Sequence, residues 1–196
     1  ETDGYAKWDA AQCLALKCIH SYLSTPEKSW EIPVPLIAAY RHVLVDESLD
    51  LALRAEILMP PSFEEVIADL TLVNVDAVEK ARDFFRAELG RNLLQQASEI
   101  YENLWQQEKH AMDARAFGQR KLRNLCLWLM MKADEQNTLE RCHQQFVTAH
   151  TMTDQIASFA LLNNCVQGTV REQAIDSFYR QWSQDELVLD KWFALQ

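Results

Sequence analysis

The feature that most constrains the fold of this chain is a spacing of three to four residues between apolar positions, repeated in segments that contain almost no helix breakers. Trp8, Ala11, Ala15 and Ile19 follow this spacing. Only 4 glycines and 5 prolines occur in 196 residues. Each such series marks the buried stripe of an amphipathic helix. The pattern predicts an all-α protein of about nine or ten helices, each of ~10 to 20 residues.

Helix starts are indicated by five polar residues that are each followed three positions later by a glutamate. This spacing allows a capping box, in which each side chain satisfies a free backbone N–H of the other residue. The five pairs are Ser62 with Glu65, Asp76 with Glu79, Asn137 with Glu140, Thr169 with Glu172, and Ser183 with Glu186. Prolines at positions 26, 33, 35, 60 and 61 separate the early helices.

The arrangement of the helices follows from their short links and from the lack of a fixed repeat length. Short links favour antiparallel neighbours. No strict period of about 34 or 40 residues is present. We therefore predict an irregular stack of antiparallel helix pairs, an α-α superhelix of the ARM or HEAT kind, and one domain over residues 1–196.

Composition narrows the choice of partners and of cellular compartment. With 19 basic and 29 acidic residues the formal net charge is −10, so neither nucleic acid nor an anionic membrane is expected as a partner. The apolar runs are far shorter than the roughly 20 residues that cross a bilayer, and the start resembles no signal peptide. The 5 scattered cysteines indicate reduced thiols and a cytoplasmic protein.

Catalytic motifs are missing from the sequence. A zinc peptidase of the H-E-x-x-H type needs two histidines one turn apart, whereas His143 and His150 are separated by about 10.5 Å along a helix. Surface or hydrogen-bonded histidines are the favoured interpretation. There is no G-x-S-x-G elbow and no glycine-rich phosphate loop. We assign no catalytic, cofactor-binding or metal-binding residue in this chain.

The basic residues Arg120, Lys121 and Arg123 form a positive cluster in an acidic protein. Two interpretations remain open. The cluster is either a solvated helix face opposite an apolar stripe, or a docking ridge for an acidic partner surface or a neighbouring domain.

Five segments resemble, in the same order, the C-terminal helical domain of the bacterial aminopeptidase N family. The most specific are residues 120–127, which include the basic cluster, and Asp190-Lys191-Trp192-Phe193, which ends the matched segment 187–193. The other three segments are residues 8–12, 55–62 and 152–154.

The resemblance implies a parent enzyme with an upstream catalytic domain, a zinc-dependent exopeptidase of the gluzincin type that removes N-terminal residues from peptides. In that family the C-terminal helices pack on the catalytic domain and help enclose the substrate chamber. The zinc ligands, the general base and the amine anchor are absent from this sequence, so no catalytic residue is carried over. The family domain continues past the Asp-Lys-Trp-Phe motif, so we expect this chain to be a piece of a larger helical domain.

Three hypotheses follow. The first is a non-catalytic helical segment of an aminopeptidase N, with the catalytic domain of the same polypeptide as its partner. The second is a free-standing helical-repeat module that binds a protein along a concave face. The third is a metal enzyme that uses His143 and His150.

Overall fold

A computed structural model describes residues 3–106 and 112–196 of the chain, and this part is helical throughout, with no strand. It contains ten α-helices and one short 3-10 helix at Glu27–Ser29. The α-helices are α1 (Gly4–Leu23), α2 (Val34–Val45), α3 (Leu51–Leu58), α4 (Phe63–Ile67), α5 (Val75–Trp105), α6 (Ala114–Ala133), α7 (Glu135–Thr148), α8 (Met152–Asn163), α9 (Gly168–Trp182) and α10 (Glu186–Leu195). The predicted all-α class and helix number are confirmed.

The helices pack mainly against neighbours in the chain order, and α6 lies at the centre. It contacts α3, α5, α7 and α8, while α1 packs on α3, α4 and α5, and α9 links α8 to α10. Eleven residues of α6 are buried. The predicted apolar stripe of α1 is buried at Ala15 and Ile19. The central helix is therefore the element around which the possible functional surfaces form.

The predicted length range of ~10 to 20 residues is wrong for several helices. Helix α5 has 31 residues, which is about 46 Å, whereas α3 has 8 and α4 has 5. Gly90 does not interrupt α5. A Cβ atom there would lie 2.6 Å from the Leu129 carbonyl oxygen of α6. The glycine therefore allows α5 and α6 to approach each other closely.

The predicted capping boxes are correct at one position of five. Ser62 and Glu65 form the full reciprocal box at the start of α4. The caps of α5, α7 and α10 are instead Asn74, Asp134 and Asp185, and Ser183 ends α9. Helix α9 begins at Gly168 without a side-chain cap, so Thr169 lies inside it. Each of the other four predicted starts is wrong by two or three residues, because a neighbouring residue supplies the cap or the first turn.

The apolar core is one continuous cluster of buried side chains that extends from α1 to α10. Near its C-terminal end, the rings of Phe159 and Phe178 stack with centroids 4.4 Å apart and an interplanar angle of 9°. Phe146 of α7 packs against both rings. These aromatic contacts hold α7, α8 and α9 together.

Candidate functional site

The basic cluster predicted from the sequence lies on α6, but its three side chains have different surroundings. Arg120 and Arg123 are 6% and 2% exposed. Lys121 is partly exposed and forms an ion pair with Glu56 of α3. A wholly solvated face is therefore wrong for the two arginines, and of the three residues only Lys121 presents its charge toward solvent. Docking by the cluster stays a prediction.

Arg123 is the centre of a buried polar network. Its Nη2 lies 2.6 Å from Oδ2 of Asp154 in the first turn of α8. Its Nη1 donates to the Leu104 carbonyl at 3.3 Å, and its guanidinium lies 5.7 Å from the Trp105 ring centroid. A buried ion pair of this kind restricts the relative positions of the elements it joins. The guanidinium therefore connects α6 to α5 and to α8.

The network continues through Gln145 of α7, which is 0% exposed. Gln145 accepts a hydrogen bond from the Tyr101 hydroxyl at 3.1 Å and donates to Oδ1 of Asn124 at 2.8 Å. It also donates to the Asp154 carbonyl at 3.2 Å. These contacts join α5, α6, α7 and α8. They fix the relative positions of α5, α6 and α8, which enclose a surface groove.

That groove, which we call the α6 groove, has a volume of about 840 Å³ between α5, α6 and α8. Its lining combines exposed apolar side chains with charges: Phe117 is 54% exposed and Met59 is 43% exposed, and Lys121 and Lys132 lie on the same helix face. The α8 side carries the small residues Ala157 and Ala160. An exposed apolar floor with a charged border is typical of a protein contact surface.

The α5 side of the groove carries a compact set of charges. Arg86 Nη1 lies 3.3 Å from Oδ1 of Asp83 and 3.9 Å from Oε2 of Glu79. Burial lowers the pKa of the Arg86 guanidinium, although an arginine stays charged at neutral pH. The α5 side of the groove therefore carries two carboxylates that are paired with a guanidinium, and the α6 side carries Lys121 and Lys132.

The histidines considered for a metal site lie apart from this groove. His143 is an exposed residue of α7, and His150 follows the end of that helix. Within residues 3–106 and 112–196, no three His, Cys, Asp or Glu side chains are grouped so that they could hold a metal ion. The side chains that the structure describes therefore do not fit the zinc site that the family resemblance implies for the parent enzyme.

The five cysteines are free thiols. Cys126, Cys142 and Cys165 are buried, Cys18 is half-buried and Cys13 is exposed. Burial raises the pKa of both Cys126 and Cys142 to about 12, which makes these two thiols poor nucleophiles. In the described part of the chain, no helix combines the length and apolarity needed to span a membrane.

The buried positions of Arg120 and Arg123 were missed by sequence reasoning. The partner of Arg123 is Asp154, 31 positions later in the chain, and nothing in the local pattern identifies that pair. One available signal was position along α6, because Arg123 follows Leu122 and precedes Leu125 within the apolar stripe.

Similarity to known proteins extends over the complete chain. The family described as "Domain of unknown function (DUF3458_C) ARM repeats" matches residues 1–196. Aminopeptidase N of Escherichia coli strain K12 is 30% identical over 194 residues, which cover 98% of this chain and 22% of that protein. Aminopeptidase N of Caulobacter vibrioides is 29% identical over 197 residues, covering 100% of this chain and 22% of that protein.

A similar fold is found in a solved structure. The crystal structure of Legionella pneumophila aminopeptidase A in complex with aspartic acid matches with a TM-score of 0.86 and 21% identity, over 100% of this chain and 24% of that one. The chain therefore spans about a fifth of the length of the proteins it matches.

Proposed function

Since the chain belongs to the DUF3458_C family of ARM-repeat domains, we propose that it is a non-catalytic helical segment of a zinc-dependent aminopeptidase that removes N-terminal residues from peptides. The observation that carries this proposal is the similarity to aminopeptidase N over 98% of the chain, within only 22% of the relative's length. The sequence contains no H-E-x-x-H motif, so the zinc and the hydrolytic chemistry belong to another part of the parent polypeptide.

The partner of this chain is then the catalytic domain of the same polypeptide, and residues 1–196 form one part of a larger C-terminal helical domain. In this role the helices form a wall of the substrate chamber, which limits the entry of long or folded substrates. A closed chamber also keeps water away from the electrostatic interactions of the reaction. The five free cysteines support a cytoplasmic location for the parent enzyme.

The docking face that we propose is the α6 groove. Phe117 and Met59 supply the apolar contact and Lys121 supplies the charge. Arg120 and Arg123 contribute by holding α6 in place, since both are buried. In this proposal the three basic residues belong to one docking element, and Lys121 is the residue that contacts the partner.

The test is hydrolysis of an alanyl anilide, with zinc supplied, by the 196-residue chain and by the complete product of its gene. Activity in the complete product alone is the expected result. Activity in the isolated chain would show that it contains an active site. Activity in neither would favour the free-standing helical-repeat module.

The same assay examines the docking face through a matched pair of variants in the complete product. Phe117→Asp places a charge in the groove and is expected to lower both the hydrolysis rate and the melting temperature. Leu72→Asp is the control, because Leu72 is 89% exposed and does not line the groove. Equal effects of the two variants would contradict docking at the α6 groove.

A further inference from the structure

The last two helices, α9 and α10, bury a smaller fraction of their residues than any other α-helix of the described structure. Helix α9 buries two of its 15 residues and α10 buries one of its 10, whereas α6 buries eleven of its 20. Their main contact with the other helices is through α8. Because local opening costs less where few apolar contacts are lost, α9 and α10 are the helices that separate most readily.

Helix α9 is attached to α8 by one aromatic stack and one polar contact. Phe178 is 0% exposed, and its ring stacks on Phe159 of α8 with the centroids 4.4 Å apart. At the C-terminal end of α9, Trp182 Nε1 donates to Oε1 of Gln155 at 2.9 Å, and Gln155 Nε2 donates to Oε1 of Gln181 at 2.8 Å. Phe178 therefore supplies the principal apolar contact that holds α9 on α8.

Helix α10 is attached mainly to α9. Trp192 Nε1 donates to the Ile175 carbonyl of α9 at 3.3 Å, and the ring centroids of Trp192 and Tyr179 are 5.2 Å apart. One further hydrogen bond, from Asn163 at the end of α8 to the Leu195 carbonyl, reaches the last turn of α10. Since most of these contacts are made to α9, we expect α10 to move together with it.

The link before α9 has the features of a hinge. The backbone N–H of Val166 donates to Oε1 of Glu135 at 2.8 Å, which fixes the first part of the link to α7. Helix α9 then begins at Gly168 without a side-chain cap, and no atom lies within 4 Å of a Cβ built on this glycine. Hinges are a few link or helix-terminal residues that can change their backbone angles without a clash. Residues 167–168 meet this description.

We propose that α9 and α10 form a hinged flap, residues 168–195, which opens from α8 as one unit about residues 167–168 while α1 to α8 stay folded. Opening uncovers the ring of Phe159 and the side chain of Gln155, which are 0% and 7% exposed when the flap is closed. The flap is therefore a conformational device that controls access to an apolar surface of α8. This inference rests on burial and contacts and does not depend on the proposed function.

The first experiment is amide hydrogen exchange of the 196-residue chain, followed by mass spectrometry at a series of urea concentrations below the unfolding transition. The flap amides should exchange at least about ten-fold faster than those of α5 and α6. Their exchange should also depend less on urea, because partial opening exposes less surface than global unfolding.

Three outcomes overturn the proposal. Equal rates and equal urea dependence in the flap and in α6 would show that α9 and α10 open only by global unfolding. Different urea dependences in α9 and α10 would show that the two helices do not move as one unit. Exchange of the flap amides without any protection in the absence of urea would show that the flap has no closed state.

A matched pair of variants tests the attachment at α8. Phe178→Ala removes the stacked ring and should accelerate exchange of the flap amides at least about ten-fold, while the amides of α5 and α6 stay protected. Arg180→Gln is the control on the same helix, because its ion pair with Asp176 is exposed, and it should leave exchange unchanged. Loss of protection throughout the Phe178→Ala chain, or equal exchange in the two variants, would overturn the proposal.

Discussion

Substitution of Gly90 by alanine tests the close packing of α5 against α6, the two helices with the most extensive contact in the described structure. A Cβ atom at this position would lie 2.6 Å from the Leu129 carbonyl oxygen, 3.0 Å from the Ala133 backbone nitrogen and 3.3 Å from Ala133 Cβ. Two of these three atoms belong to the backbone and cannot rotate away. Because non-bonded carbon contacts are favourable at about 3.5–4.0 Å, α6 would have to move by about 1 Å.

The expected magnitude is the balance of two opposing effects. Alanine is favoured over glycine inside a helix by about 1 kcal/mol, which stabilises the variant. Inserting a methyl group into a well-packed contact costs about 1–3 kcal/mol, and the backbone contacts place Gly90 at the upper end of that range. We expect Gly90→Ala to lower the free energy of unfolding by about 1–2 kcal/mol, which lowers the melting temperature by about 2–4 °C per kcal/mol.

The measurement is urea-induced unfolding followed by circular dichroism at the helical band. Gly168→Ala is the matched control, since no atom lies within 4 Å of a Cβ built there and no described glycine has a positive φ. The control should be neutral or more stable. If Gly90→Ala is as stable as the unchanged chain, or more stable, then the close approach of α5 and α6 does not require glycine and the packing argument is wrong.

Two further predictions concern buried titratable groups. Asp154→Asn leaves Arg123 without its carboxylate in a site where both side chains are at most 4% exposed. We expect the free energy of unfolding in urea to fall by about 3–5 kcal/mol, against less than about 0.5 kcal/mol for the control Asp176→Asn, which changes an exposed ion pair. Equal losses in the two variants would contradict a structural role for the buried pair. Burial raises the pKa of Cys126 and Cys142 from 9.0 to about 12, so their contribution to stability is complete below pH 9 and is lost as the pH rises toward 12. The free energy of unfolding should therefore fall as the pH rises from 9 to 10.5, and Cys126→Ala should have a smaller slope. An unchanged slope would argue against the raised pKa.

Much of the fold was predictable because the signals for it are local. The three-to-four residue spacing identified the helices, and Ser62 with Glu65 identified one start correctly. The other starts were misplaced where two polar residues lie close together, as with Asn74, which caps α5, and Asp76, which lies in its first turn. Either residue can accept the N–H groups of a first turn, and the choice depends on where packing of the whole helix begins.

The candidate sites were less predictable because they depend on contacts between distant residues. The sequence gives Arg120, Lys121 and Arg123 the same local appearance, yet Arg123 is paired with Asp154 in the interior while Lys121 remains near the surface. Arg54 illustrates the same limit, since only the packing of α2, α3, α5 and α6 places it beside a cavity. Local periodicity identifies helices but not which polar residues become buried.

The burial of arginines makes the surface charge of this protein more negative than its formal net charge. Among the described residues four arginines are buried, Arg54, Arg82, Arg120 and Arg123, against a single buried carboxylate, Asp154. The solvent-facing residues are therefore more acidic than the formal charge of −10 indicates. Encounter with a cationic surface should be accelerated at low ionic strength and slowed as salt shortens the range of the field, which is about 10 Å at 0.1 M.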